Sequence, residues 1–500
     1  MSANTSSATI TPHPTEEGLH RGTNWWGAFA LGLAGTILVT GIAPYAVQSL
    51  GAASIPLFVV VTAMGVLLCL FLAELAAMMP ERTGGLPSYA SATFSPLGAS
   101  VSRHVGGLSA WSYWLGWFPV APINMILASA YIVDLLHIPQ GRTLNPFGSV
   151  GAPITVGVLL VSAAGILLMF VPAYFGIKLG SGFATALGLA SMVPLTALVL
   201  LPLVRPHSLH WSNLSGFHLP AGVHGSFTFF MAWIFVMTWS VLAMEAAACY
   251  IGECENPQRD AKIAMTVEGG YGFLIYALVP VMLVAVLGST TSIDPLIVFR
   301  AFAEKVLGTG AAWVHWAVGV PLVIALLLSV LNAIMGVGRS LFQVSRDGLL
   351  PRWFGRANRH GSPGNAMAFN VVASLLVLLF GSPVRIYIFS NLGYLLALLL
   401  AMIGYFVYAQ YRPSLARPVR IHRGLRWLAL AIGVFWAFIW AYGGWNSPAL
   451  VVGSNSHSLF LIGLAVLVAY LPLYAWRRLS DRRTGVTAPS VALATEAGEA

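Results

Sequence analysis

Charge is what this chain has least of. Only 8% of its 500 residues are Asp, Glu, Lys or Arg, while 58% are hydrophobic and the mean hydropathy is +0.81. Soluble globular chains carry about 25% charged residues, so a water-soluble fold is excluded. Cysteine is nearly missing too. Cys69, Cys249 and Cys254 make no even disulfide framework, and each lies in or beside an apolar run, where cysteine packs as a small hydrophobe. There is no GxxxxGK[ST] loop, which excludes an ATP-driven engine. No Ser-His-Asp arrangement, HExxH or CxxC pair occurs, so no enzyme, no cofactor and no metal site is expected. A TVGYG-like filter and charged rings are absent, which argues against a channel. The first 24 residues are polar and lack an apolar core before a small-residue cleavage site. No removable signal peptide is expected, and the first apolar run acts as the insertion signal.

What the chain does have is apolar runs long enough to cross roughly 30 Å of hydrocarbon. Twelve are expected, near 25–49, 54–79, 109–136, 152–172, 182–204, 226–251, 266–288, 313–337, 365–381, 386–409, 427–446 and 457–476. Many are rich in Gly, Ala and Ser, as closely approaching membrane helices require. With the N-terminus inside and twelve alternations, twenty of the 25 basic residues fall on the inner side and five on the outer. The net charge of +9 is therefore topology information, and no nucleic-acid partner is expected. Both termini are expected in the cytoplasm and the lipid bilayer is the expected surrounding, in the cell (plasma or inner) membrane. The outer loop 205–224 holds His207, His210, His218 and His224 without metal-like spacing and reads as a solvated loop. Segment 289–312 reads as an amphipathic outer helix over the mouth. The first 20 residues and 484–500 read as disordered.

One carboxylate stands out. Glu245 lies within WSVLAMEAAACYIGECENP, residues 239–257, at membrane depth. Such a charge costs several kcal/mol without a partner, a cavity or a proton, so it is either a functional group or a protonated carboxyl bonded to a neighbouring helix. A second irregularity is in the first span, where Gly32, Gly35 and Gly41 precede Pro44, which cannot donate to the carbonyl of Thr40. Unwound backbone at this depth is tolerated only where it lines a cavity or is buried in protein. Interrupted segments at corresponding places of two halves point to a midplane substrate site in secondary transporters. The alternative is that these glycines only let helices pack. The expected organisation is an inner tail 1–24, a first five-span repeat 25–204, an outer loop 205–224 and an inverted second repeat 225–410. Two further spans with a basic inner loop follow at 411–476, and an inner tail at 477–500.

Four stretches carry a family resemblance: Thr40-Gly41-Ile42; AELAAMMPERTGGLPSY, residues 73–89; WSVLAME followed by ECENPQRDA; and GRSLFQVSRDGLLPRWF, residues 338–354, with Ser362-Pro363 behind it. Tyr113-Trp114 and Trp117 of the third span also fit. Together they resemble the amino acid/polyamine/organocation (APC) transporters. The resemblance implies an all-α integral membrane fold of the LeuT type, a five-plus-five inverted repeat with two appended helices, twelve in all. It implies substrate between spans one and six: a carboxylate at the backbone of Thr40, Gly41 and Ile42, and an amino group at carbonyls of Trp239, Ser240, Leu242 and Ala243. Trp239 is then either an aromatic gate over the substrate or a packing residue. Glu245 would respond to protons or couple helices, beside Trp117. Two departures matter. Ala243 stands where the family often has Gly, which makes a shallower sixth-span break. Ser191 stands where some proton-coupled members carry a buried Lys. Ser329 and Asn332 offer oxygens, or bond their own helix.

The expected function is a permease that moves an amino acid by alternating access, driven by proton symport or substrate exchange. The alternatives are an organic amine or cation transporter (ethanolamine, choline or a polyamine) and a transport-inactive membrane receptor. Expected partners are a small amino acid or amine, protons in the symport reading, and either no second copy or one, as monomer or homodimer.

Overall fold

The computed structural model describes residues 19, 21–288, 292–454 and 456–484. The tails read as disordered lie outside the described residues, apart from Leu19 and Thr484. Helix dominates. The first apolar stretch holds α1 (Trp25–Ile37), α2 (Val39–Leu50) and α3 (Ser54–Met78), joined by a turn at Leu38 and a 3-10 turn at Gly51–Ala53. Then come α4 (Leu86–Thr93), α5 (Ala99–Trp117), α6 (Val120–Leu135), α7 (Val156–Tyr174) and α8 (Ile177–Val204). A two-residue-per-strand ribbon, Thr143–Leu144 against Ile154–Thr155, closes the loop before α7. The second half runs through α9 (Phe227–Val241), a 3-10 helix (Leu242–Glu253), α10 (Pro257–Leu287), α11 (Val298–Leu307), α12 (Ala312–Arg346), α13 (Gly364–Val377) and α14 (Pro383–Tyr411). Last are α15 (Leu425–Phe438), α16 (Gly444–Val452), α17 (Ser458–Val468) and α18 (Tyr470–Thr484).

Among the described residues, ten helical stretches are long and apolar enough to cross a membrane. The first of them, Trp25–Met78, runs 54 residues, about twice what one crossing needs. Gly364–Phe380 is apolar but shorter. The chain is a multi-pass membrane protein. Its core is built by α1, α3, the 3-10 helix, α10, α12 and α14. α7, α8, α15 and α17 carry many exposed Leu, Val and Phe side chains, such as Leu160, Val193, Val434 and Leu461, as lipid-facing helices do.

Within the segment 289–312, of which 289–291 lie outside the described residues, α11 is an amphipathic helix. In α11, Val298, Phe299, Phe302, Ala303 and Val306 face inward. Arg300 donates to Glu304 at 3.0 Å and reaches Asp134 of α6 at 3.3 Å, and His315 of α12 lies 2.9 Å from Glu304. Partial burial works against the Glu304 carboxylate, but the bonds from Arg300 and His315 outweigh it and hold the group below the usual carboxylate range. A depressed carboxylate stabilises above its unfolded value, about pH 4.3, and the gain is lost as pH falls through the folded value. Solvent screening keeps the effect small. Amide exchange in 298–307 should therefore rise below about pH 4, and the Glu304→Gln variant should not show this acid step. An identical step in that variant would contradict the assignment.

Candidate functional site

Two helices are interrupted, and the interruptions meet. Asn24 caps α1, accepting from Trp26 and Gly27 N–H at 3.0 and 3.2 Å. The helix turns at Leu38, ahead of Gly41 and of Pro44, which α2 carries within it. Thr40 Oγ1 donates to the Ile37 carbonyl at 2.8 Å, satisfying an acceptor near the turn. In the sixth span, α9 gives way at Leu242 to a twelve-residue 3-10 helix. Runs of this geometry rarely exceed three or four residues, and long ones mark strain or function. The sixth span thus tightens at the position where a shallower break was expected, rather than opening into a loop. The two spans cross at Gly35. A Cβ built there would overlap the Ala243 carbonyl, so Gly35 supplies the space that Ala243 does not.

Tyr276 of α10 holds the crossing. Its hydroxyl lies 2.9 Å from the Gly35 carbonyl, 2.7 Å from the Ser240 carbonyl and 3.0 Å from Ser240 Oγ. These are carbonyls that an unbroken α-helix would pair with the amides of Val39 and Met244. Ser329 of α12 donates to the Ala34 carbonyl at 2.8 Å, one residue before the crossing. Ser329 therefore bonds another helix and not its own. Ser191 does the reverse, donating to Leu187 O at 2.7 Å in its own α8.

Above the crossing, Tyr387 of α14 fills the space between the two spans. Its ring lies 4.7 Å from that of Trp239, and a Cβ at Gly41 would meet its hydroxyl at 2.5 Å. Trp239 donates through Nε1 to the Gly116 carbonyl at 2.9 Å, which fixes its ring. Thr40 faces elsewhere. It lines a small apolar cavity with Ile37, Met192, Val199 and Phe299, away from Trp239. Ile42 and Leu242 are fully buried packing residues. So the structure brings Gly41, Trp239, Ser240 and Ala243 around one crossing, and turns Thr40 away from it.

Glu245 forms a second centre along the 3-10 helix. It is fully buried. Tyr113 and Trp117, one turn apart on α5, donate to its Oε1 at 3.0 and 3.2 Å, and Tyr394 of α14 donates to the same oxygen at 3.0 Å. Oε2 has no hydrogen-bond partner among the described residues. Two helices are thereby tied to span six through one carboxylate oxygen. Glu268 of α10 is also buried and joins no ion pair among the described residues. Its Oε2 accepts from Ala247 N–H at 2.9 Å, and its carboxyl lies over Gly32.

One end of the bundle is closed by a buried polar cluster to which three of the four motif stretches contribute. Gly84 and Gly85, both at positive φ, thread between α12 and the 3-10 helix, where added Cβ atoms would meet Ser340 Cα and Cys249 Sγ, each at 2.8 Å. Arg339 and Glu253 form an ion pair with both side chains fully buried. Thr83 donates to Cys249 O at 3.1 Å, Ser340 to Gly84 O at 2.7 Å, and Arg82 pairs with Asp347 at 2.6 Å. Gly22 and Thr23 donate to Glu253 O at 3.0 and 3.3 Å, laying the N-terminal segment across the exit of span six. Asn332 accepts from Tyr250 beside this cluster and does not reach the crossing.

Tyr276, Tyr387 and Tyr394 escape a search for charges and glycines. The signal for two of them is nonetheless present: Tyr387, Ser390, Asn391 and Tyr394 repeat at helical spacing, a polar stripe inside an apolar run.

The family model described as amino acid permease matches residues 24–470. An uncharacterised transporter of Legionella pneumophila is 24% identical over 435 residues, covering 80% of this chain and 85% of that protein. A polyamine transporter of Oryza sativa subsp. japonica is 23% identical, covering 71% of this chain and 60% of its own length. A glutamate/gamma-aminobutyrate antiporter of Lactococcus lactis is 23% identical over 48% of this chain and 51% of its own. The chain spans only about half to two thirds of the length of these last two relatives. A solved nucleobase-cation-symport-1 family transporter in a closed conformation, with bromovinylhydantoin bound, is 16% identical. It covers 95% of this chain and 97% of its own with a TM-score of 0.52, a likeness of fold. With the family match running from the cap of α1 to the start of α18, the chain belongs to the amino acid permease family.

Proposed function

We propose that the protein is a secondary active transporter that moves an amino acid across the cell membrane by alternating access, driven by proton symport or exchange. The observation that carries this is the crossing of two interrupted helices at Gly35 and Ala243, with Tyr276 on both freed carbonyls. In this reading Trp25–Met78 crosses twice and Gly364–Phe380 once. The membrane then holds twelve spans, arranged as repeats 25–204 and 225–410 with 411–476 appended and both tails inside. Substrate sits between Gly41 and Trp239 after Tyr387 swings aside. The carboxylate meets backbone N–H groups of 40–42 and the amino group meets carbonyls of 239–243. The Arg339–Glu253 pair and the Gly84-Gly85 turn form the inner seal, and Glu245 ties it to α5 and α14.

One observation favours a cationic substrate, an amine or basic amino acid. Three donors converge on Glu245 Oε1, and Oε2 has no hydrogen-bond partner among the described residues. An ammonium or guanidinium group is the complement of that oxygen. Relatives described as polyamine transporters and arginine/ornithine antiporters agree with this choice.

Uptake into proteoliposomes over a panel of labelled amino acids and amines tests both readings. Glu245→Gln should flatten the pH dependence of uptake and weaken basic substrates by about tenfold or more, the loss of one charge-assisted bond of about 1.5–3 kcal/mol. An unchanged pH profile would remove the proton role. Unchanged preference between basic and neutral substrates would remove the cation reading. No movement of any substrate under proton or exchange gradients would leave the receptor reading.

A further inference from the structure

Four arginines that the transport cycle does not use surround one cavity. The loop 412–424, between α14 and α15, is folded back onto the bundle. Arg417 pairs with Glu74 of α3, whose other oxygen accepts from Tyr405 Oη at 3.2 Å and from Ile421 N–H at 3.0 Å. Glu74 is fully buried and committed to these three partners. Behind it lies a cavity of about 410 Å³ lined by Tyr405, Ser414, Arg417, Arg420, Arg423 and Arg426, among others, with no carboxylate in its wall. Arg420, Arg423 and Arg426 join no ion pair among the described residues, and the buried Arg426 Nε has no hydrogen-bond partner there. Three positive charges thus face one polar cavity without compensation. Guanidinium groups so arranged match the oxygens of a phosphate, which they bind bidentately.

The geometry points to an anion site in this cavity that takes a phosphate group, carried by an anionic lipid headgroup or free in solution. Its depth agrees with a headgroup. Trp427, 57% exposed and 4.9 Å from the Phe406 ring, and Tyr411, 59% exposed, flank the cavity, and exposed Trp and Tyr mark the membrane–water interface. Basic clusters just beyond a span attract anionic lipid. Occupancy would clamp 412–424 against Glu74, and so join α14 and α15 to α3.

The test is thermal unfolding of the full chain, purified in a neutral detergent. Three probes are compared: phosphatidylglycerol mixed micelles, phosphatidylcholine mixed micelles, and inorganic phosphate against chloride at equal ionic strength. The midpoint should rise by about 2 °C or more with phosphatidylglycerol and stay level with phosphatidylcholine. Arg420→Gln/Arg423→Gln/Arg426→Gln should lose more than half of the rise. Arg478→Gln/Arg482→Gln/Arg483→Gln, which removes the same charge elsewhere, should keep it. A rise with inorganic phosphate alone assigns the site to the free anion, and a rise with phosphatidylglycerol alone assigns it to lipid. Should the triple variant fold poorly, Arg423→Gln alone should still reduce the rise. No rise with either probe, or equal loss in both triple variants, overturns the site.

Discussion

Arg339→Met should destabilise the fold by about 3–5 kcal/mol, the range seen when one partner of a buried ion pair is removed. The reason is what stays behind. Glu253 is fully buried, and Arg339 gives it two charge-assisted bonds, one of 3.0 Å to Oε2 and a shorter one to Oε1. Without Arg339, the side-chain bond described for the carboxylate is the one from Thr83, at 3.4 Å. The guanidinium also lies 5.4 Å from the Tyr250 ring and donates to Met335 O at 3.0 Å. Removing both charges, as Arg339→Met/Glu253→Gln, should recover most of the loss. Arg300→Met, at a pair with side chains about a third exposed, should cost under about 1 kcal/mol. Unfolding midpoints in detergent would rank the three. Equal midpoints for the single and double variants at 253 and 339 would mean that the pair is not what stabilises the inner seal.

The second large effect is expected at Gly35. A Cβ there would run into the carbonyl oxygen and carbon of Ala243 and lie 3.2 Å from Met244 N. All of these are backbone atoms, so no side chain can rotate away, and the two interrupted spans must separate. Gly35→Leu should reduce substrate binding to background while the chain still inserts and purifies. Even Gly35→Ala should weaken it severely, although Ala favours a helix by about 1 kcal/mol over Gly. Gly41→Leu is expected to be milder, because its Cβ meets the Tyr387 hydroxyl and Leu127 Cδ1, at 2.5 and 3.2 Å, and both side chains can move. Binding of whichever substrate the uptake panel identifies, measured on surface-expressed protein, decides the order. If Gly41→Leu abolished binding and Gly35→Leu left it intact, the crossing would lie elsewhere.

Much of this was legible in the sequence. Length and hydropathy locate the spans. The cost of a carboxylate in an apolar run singles out Glu245, and the glycines and Pro44 mark the first span as irregular. The break itself falls at Leu38, not at Gly41 or Pro44. Its place depends on which side chains reach the freed carbonyls. One of them, Tyr276, comes from 241 residues away, and no local pattern encodes that. The same holds for Ala243. Read locally it is a residue that resists unwinding, but its partner Gly35 is found only once the helices are packed. Arg82 and Glu253 each sit in a different motif from Arg339 and Asp347, which share one. Only the fold pairs them.

Tyr276 has a consequence for how the molecule moves. Its one hydroxyl lies within hydrogen-bond distance of a carbonyl on each interrupted span, so parting α10 from either span gives up that contact. Separation from one span alone would lose the hydrogen bond to its carbonyl, at a net cost of about 0.5–1.5 kcal/mol. Rocking that carries spans one, six and seven together avoids this. In the proposed alternating-access cycle, the crossing would then move as one piece, with its boundary where Tyr113 and Tyr394 hold Glu245.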